Sequence, residues 1–279
     1  MRIQASPPNS PYDNTAQADT PPLRSSIRIA LWDLPVRIFH WSLLAAVGTA
    51  IVTGQLGGGW MGVHGKAGLA IIGLVVFRIL WGFLGSTYAR FATFVPTPGQ
   101  LRTYLRGQWR GTGHNPLGAL SVLALLGLLA LQAGTGLFGN DDIAFVGPLA
   151  DLVSETLSHK LTGWHQRLAT ALYALLSLHV LAIVFYERVK KDKLLKPMLT
   201  GWKEVAANTK PPRQATPLGL LVCILLALGA VYGASGWWIS SPESAQAPTA
   251  KATVPKQGTH RPRSLALTPA MPQFSLGTS

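Results

Sequence analysis

Two histidines stand on one apolar stretch, LTGWHQRLATALYALLSLHVLAIVFYER (161–188), which carries no charge from Ala169 to Tyr186. His165 and His179 are fourteen positions apart. At about 100° per residue, fourteen helical steps return a side chain to within about 40° of its starting direction, after a rise of about 21 Å. One membrane-crossing helix would thus present two imidazoles on one stripe, one near each edge of the hydrocarbon layer. An ionisable side chain in lipid is costly and marks a functional site. This spacing points to one haem near each membrane surface, each needing a second axial ligand from another helix.

The second ligands are found by depth. His40 follows Arg37 at the start of an uncharged run, and His64 opens another, HGKAGLAIIGLVVFRILWGFLGS. If these runs cross the membrane in opposite directions, His40 lies at the level of His179 and His64 at the level of His165. The pairs are His40 with His179 and His64 with His165. Bis-imidazole ligation leaves no open position on iron, which favours electron transfer over substrate chemistry. Haem propionates need cations. Arg37 and Arg78 stand at the level of the first pair, Lys66 and Arg167 at the level of the second. Gly68, with Gly65 and Gly73, would let a porphyrin approach the backbone, and Gly134 on the third span could do the same. Zinc or copper binding is the competing reading of imidazoles, but no carboxylate or thiolate accompanies them in the apolar runs. His114, His159 and His260 fall in loops or the tail and read as solvated.

The elements that must carry these side chains are apolar blocks of about twenty residues separated by basic loops, the pattern of a polytopic helical membrane protein. The chain has 279 residues, 48% hydrophobic and 13% charged, with a formal net charge of +13. On a soluble protein that charge would suggest nucleic acid. Here the basic residues flank apolar spans, so topology accounts for them and no nucleic-acid partner is expected. The single cysteine, Cys223, excludes an intrachain disulfide, a CxxCH haem attachment and a cysteine-ligated iron–sulfur cluster.

The expected architecture is all-α integral membrane: a four-helix transmembrane bundle holding two haems, plus a fifth C-terminal transmembrane helix. Residues 1–26 read as a disordered cytoplasmic tail, 27–200 as the haem domain, 201–240 as a linker and fifth helix, and 241–279 as a disordered tail. The spans fall at about 38–56, 64–84, 116–138, 162–186 and 217–238. Asp33 is expected to cap the first, with Pro35 in its first turn. Leu101, Tyr104 and Leu105 suggest a short surface helix, and another is expected after Pro148. Lys and Arg number sixteen on the side of the N-terminus and seven on the other. The positive-inside rule then makes the N-terminus cytoplasmic and, in a bacterial inner membrane, the C-terminus periplasmic.

The motifs WDLPVRIFHW (32–41), HGKAG (64–68) with Arg78 and WG at 81–82, and WHQRLATALYALLSLH (164–179) resemble the bacterial cytochrome b561 family, which includes the b-type cytochrome subunit of nickel–iron hydrogenases. The resemblance covers about 27–200. It implies a four-helix bundle with two b haems, ligated by the positions of His40, His64, His165 and His179 in the pairing derived above. It also implies electron exchange with membrane quinone and with a redox protein, of c-type cytochrome or hydrogenase type. The fifth span has no counterpart in the shortest members. Two other readings stand beside this one: a superoxide/quinone oxidoreductase acting directly, and a haem-free membrane scaffold or transporter. The second is disfavoured by mid-span His179 and by the lack of paired Gly/Pro-broken spans.

Overall fold

The computed structural model describes residues 26–239 except 110, 112, 144, 208 and 210. The two tails and His260 lie outside the described residues. The elements are β1 (Ser26–Ala30), α1 (Leu34–Leu56), α2 (Met61–Leu84), α3 (Phe91–Phe94), α4 (Pro98–Leu105), α5 (Pro116–Leu137), α6 (Glu155–Phe185), α7 (Leu195–Thr200), β2 (Trp202–Ala206) and α8 (Pro217–Ala234). Among the described residues, five helices are long and apolar enough to cross a membrane. Their outward faces carry exposed Leu, Val and Phe, as at Phe83, Leu181 and Leu228. In water this would be a liability; in lipid it is the expected outer surface of a bundle whose backbone groups are satisfied internally.

Local chemistry sets the helix starts. The Asp33 carboxylate accepts from Val36 N at 2.8 Å, with Pro35 in the first turn of α1. Asn115 caps α5 in the same way through Gly118 N, and Thr216 caps α8 through Gly219 N. Between α1 and α2 the chain turns on Gly57 and Gly58, both at positive φ, where a side chain would be strained. α6 begins seven residues before the expected position. Ser154 caps it and Glu155 occupies its first turn. Polar contacts fix the early start: Ser158 donates to Phe138 O at 2.7 Å, and Thr162 donates to Asn140 O while accepting from Asn140 N. The first turns of α6 are thereby bound to the end of α5. A short 3-10 turn at Ala150–Leu152 follows Pro148, and α4 is the expected surface helix with a capping box at Thr97 and Gln100.

α2 is the central helix, touching α1, α5 and α8, while α6 packs on α5. Gly73 belongs to this packing and not to a porphyrin cradle. A Cβ there would meet Val231 Cγ2 of α8 at 2.7 Å. The fifth membrane-length helix therefore lies directly on the second. At mid-depth Val47, Ile71, Val75, Leu129 and Leu172 form a buried cluster from α1, α2, α5 and α6. At the end nearer the N-terminus Leu31, Trp32, Val36, Trp81, Ala89 and Cys223 form another.

Among the described residues, one two-stranded sheet accompanies the helices. β1 pairs antiparallel with β2 in the register Ser26↔Ala206 to Ala30↔Trp202. Leu31 N and Trp32 N both donate to Gly201 O, at 2.8 and 3.2 Å. The expected polar connection after α6 is thus tied to the segment that enters α1.

Candidate haem sites

Two of the four histidines stand side by side. His64 of α2 and His165 of α6 have ring centroids 6.1 Å apart with planes at 79°. His179 of α6 interacts electrostatically with both His40 of α1 and His114. On α6 the two levels are separated by the helical rise of about 21 Å. Between them lies the apolar cluster of Val47, Ile71, Val75, Leu129 and Leu172. An apolar layer therefore separates the His165 and His179 levels.

The outer level is a cavity of about 530 Å³. His64, His165, Gly65 and Gly68 are among its lining residues, together with Gln132 and Phe145. Both imidazoles are oriented by main-chain carbonyls: His64 Nδ1 bonds Ala50 O at 2.8 Å and His165 Nδ1 bonds Gln132 O at 2.8 Å. A carbonyl can only accept, so each Nδ1 carries the proton and each Nε2 keeps its lone pair. This is the arrangement that metal-ligating histidines adopt, with the second nitrogen held by a carbonyl. Two small residues admit the rings. A Cβ on Gly54 would stand 3.1 Å from His64 Cε1, and one on Gly136 would stand 3.0 Å from His165 Cε1. Gly68 has nothing within 4 Å of its Cβ direction and leaves the cavity wall open. Gly134 likewise meets nothing.

At the inner level Ser121 Oγ lies 3.3 Å from His179 Nδ1. His40 Nδ1 is buried with no hydrogen-bond partner among the described residues. Arg78, only 3% exposed, is the buried cation of this end. It donates to Ala89 O at 3.2 Å and lies over Phe91 and Phe94 at 5.3 and 5.6 Å. Arg37 donates to Leu199 O, and its Nε is buried without a partner among the described residues. Lys66 and Arg167 are exposed, Arg167 over the Trp164 ring at 5.4 Å, and neither lines the cavity. Among the described residues no group of three or more His, Cys, Asp or Glu side chains is placed to hold a metal ion.

Three residues lie beyond the sequence reading. Gln132 and Thr135 contact His165. Their only signal in the sequence is a polar amide and a hydroxyl on an otherwise apolar span. The third is His114, which is not solvated. Its ring packs between Trp32 and Phe94, with centroids at 4.5 and 4.9 Å, and its Nδ1 is buried without a partner among the described residues. Burial first, then the Arg78 and His179 charges, push it down to about 4 from 6.5. His159 is exposed as expected, 3.5 Å from Asp142 and 3.7 Å from Glu155.

Burial of His114 makes stability depend on pH. The unfolded chain takes up this proton near pH 6.5, the folded chain only near 4. The stabilisation is present above about pH 6.5 and is lost as pH falls toward 4. A tenfold change in proton affinity is worth about 1.4 kcal/mol, so the full loss is roughly 3 kcal/mol. His114→Phe is expected to flatten this part of the stability curve, measured as thermal midpoint against pH in detergent.

The decisive comparison is with protein families. Residues 31–201 match the model of the prokaryotic cytochrome b561 family. The chain belongs to that family. Among its relatives is the probable Ni/Fe-hydrogenase 1 B-type cytochrome subunit of Escherichia coli strain K12, 21% identical over 62% of this chain and 89% of the relative. Another is the probable Ni/Fe-hydrogenase B-type cytochrome subunit of Azotobacter vinelandii, 23% identical over 65% of this chain and 90% of the relative. No solved structure matches. A b561 cytochrome is a multi-pass membrane protein that transfers electrons through b-type haem, and the haem-free scaffold or transporter reading ends there. The match stops at residue 201, before β2 and α8.

Proposed function

We propose that this cytochrome carries electrons across the membrane through two b haems, one held by His64 and His165 and one by His40 and His179, between membrane quinone and a redox protein. The observation that carries the reading is the outer pair: two imidazoles on facing helices, each turned by a main-chain carbonyl so that Nε2 keeps its lone pair, beside one cavity. Haem bound there would supply a one-electron couple. The chain does the rest. Ala50 O and Gln132 O fix the ligand tautomers at the outer site. Ser121 orients His179 at the inner site. Gly68 leaves the outer cavity wall free for a flat macrocycle. The apolar cluster with Leu129 and Leu172 forms the cavity floor between the levels.

The charges divide unequally. Arg37 and Arg78 supply the positive potential that the inner haem's carboxylates require; Lys66 and Arg167, exposed and outside the cavity lining, are not given that role at the outer end. The excess of Lys and Arg on the N-terminal side supports an inner-membrane orientation with the N-terminus cytoplasmic and the C-terminus periplasmic. The relatives' names favour a hydrogenase-type redox partner over a soluble small acceptor. The exposed apolar helix faces give quinone a lipid-side approach.

The test is electron transfer in proteoliposomes. Quinol supplied in the bilayer should reduce both haems, and an oxidised c-type cytochrome outside the vesicles should reoxidise them. Haems that stay oxidised with quinol and also with reduced partner would overturn the assignment.

A further inference from the structure

α5 contributes no histidine, yet it grips His165 at both ring nitrogens. The Gln132 carbonyl accepts from Nδ1–H at 2.8 Å. Because Nδ1 carries the proton, Nε2 is an acceptor, and the Gln132 side-chain amide donates to it at 3.0 Å. One residue thus clasps both nitrogens. Thr135 Oγ1 adds a contact to Nδ1 at 3.3 Å, and the Gly136 Cα approaches the same ring edge. The side-chain bond is the unexpected one, because Nε2 is the nitrogen that iron would take. The other end of the same amide, Oε1, is buried without a hydrogen-bond partner among the described residues. An amide with one end engaged on a ligand nitrogen and the other unsatisfied, beside a cavity of about 530 Å³, is poised to move.

We propose that Gln132 is the placeholder of the outer haem site: its amide occupies the coordinating nitrogen of His165 until the site is loaded, and is displaced when iron takes that nitrogen. The inference rests on the ligand role given above to His165. The placeholder satisfies a buried acceptor that would otherwise be left bare. It also holds the ring in its productive tautomer, because the same residue's carbonyl engages Nδ1. Loading then exchanges the Gln132 hydrogen bond for the bond to iron, and the side chain turns aside within the cavity. No electron changes place in this exchange, and the His165 Nδ1 proton stays where it is.

Gln132→Leu removes the amide and keeps the main-chain carbonyl. Gln132→Met is a second variant of similar length, should leucine disturb the span. The full chain is prepared haem-free in detergent, and two quantities are measured. The first is the rate at which diethylpyrocarbonate modifies His165, followed by peptide mass. It is expected to rise about three- to tenfold in either variant, the worth of one net hydrogen bond, while the rate at His64 is unchanged. The second is haemin titration, in which the outer site is expected to bind about three- to tenfold more tightly, by the same reasoning, with an unaltered low-spin spectrum. Equal modification rates with normal loading would overturn the placeholder. So would weaker haemin binding with a shifted midpoint potential, which would make the amide a partner of the bound cofactor. If neither protein binds haemin, the haem reading itself fails, and the placeholder with it, whatever the modification rates.

Discussion

His165→Ala is expected to halve the haem content of the purified protein and to leave the remaining haem with its low-spin b-type spectrum. The residue is the proposed ligand of the outer level, and its ring is set by contacts that no neighbour can reproduce. His64 alone would give a five-coordinate, weakly held iron, and the Gln132 carbonyl would lose its donor. The inner level stands about 21 Å away along the same helix. His179→Ala should do the converse, emptying the inner site and sparing the outer. The check is a pyridine haemochrome assay beside a reduced-minus-oxidised spectrum. Retention of both haems in either variant would refute the ligand assignment.

Trp81→Ala is expected to cost about 3 to 5 kcal/mol of stability, as the truncation of a large buried aromatic does. Trp81 is 2% exposed at the centre of the cluster formed with Leu31, Trp32 and Val36. Its Phe77 neighbour stacks at 5.7 Å, and its indole Nε1–H donates to Asp33 Oδ2 at 3.0 Å. The same carboxylate caps α1 through its other oxygen. Truncation therefore leaves a large void and a half-buried carboxylate short of one partner, at the turn from which His40 is positioned two turns along α1. Trp81→Phe should retain most of the packing but not the hydrogen bond. Thermal unfolding in detergent, followed by tryptophan emission and by haem absorbance, should show a lowered midpoint for Trp81→Ala. Its inner haem should be lost at lower temperature than the outer one. Simultaneous loss of both haems would mean that this cluster does not hold the inner site specifically.

The spans and the two histidine levels are legible in the sequence because both depend on local periodicity. Charge-free runs of about twenty residues mark membrane helices, and a spacing of fourteen places two side chains on one stripe. Asp33 and Pro35 announce the start of α1 through capping chemistry alone. What the sequence does not disclose is non-local. The pairing of β1 with β2 joins segments separated by the whole four-helix region, and nothing in either short segment names its partner. His114 sits in a polar loop next to glycine and proline, so in sequence it reads as solvated. Only the return of Trp32 and of Phe94 to the same place buries it. The polar first turns of α6 suggest a later start, yet Ser158 and Thr162 spend that polarity on the end of α5. Gly73 shows the same limit. A small residue on an apolar helix signals close approach, and the sequence does not say whether porphyrin or another helix approaches.

Two haems per chain, each between two imidazoles, are the central expectation for this cytochrome. A pyridine haemochrome assay on the purified full chain, expressed with haem available, measures the count, and a reduced-minus-oxidised spectrum reads the ligation. Two b haems per chain, both low-spin, are predicted. One haem per chain would contradict the two-level pairing of His40 with His179 and His64 with His165, and none would contradict the assignment of these four histidines altogether.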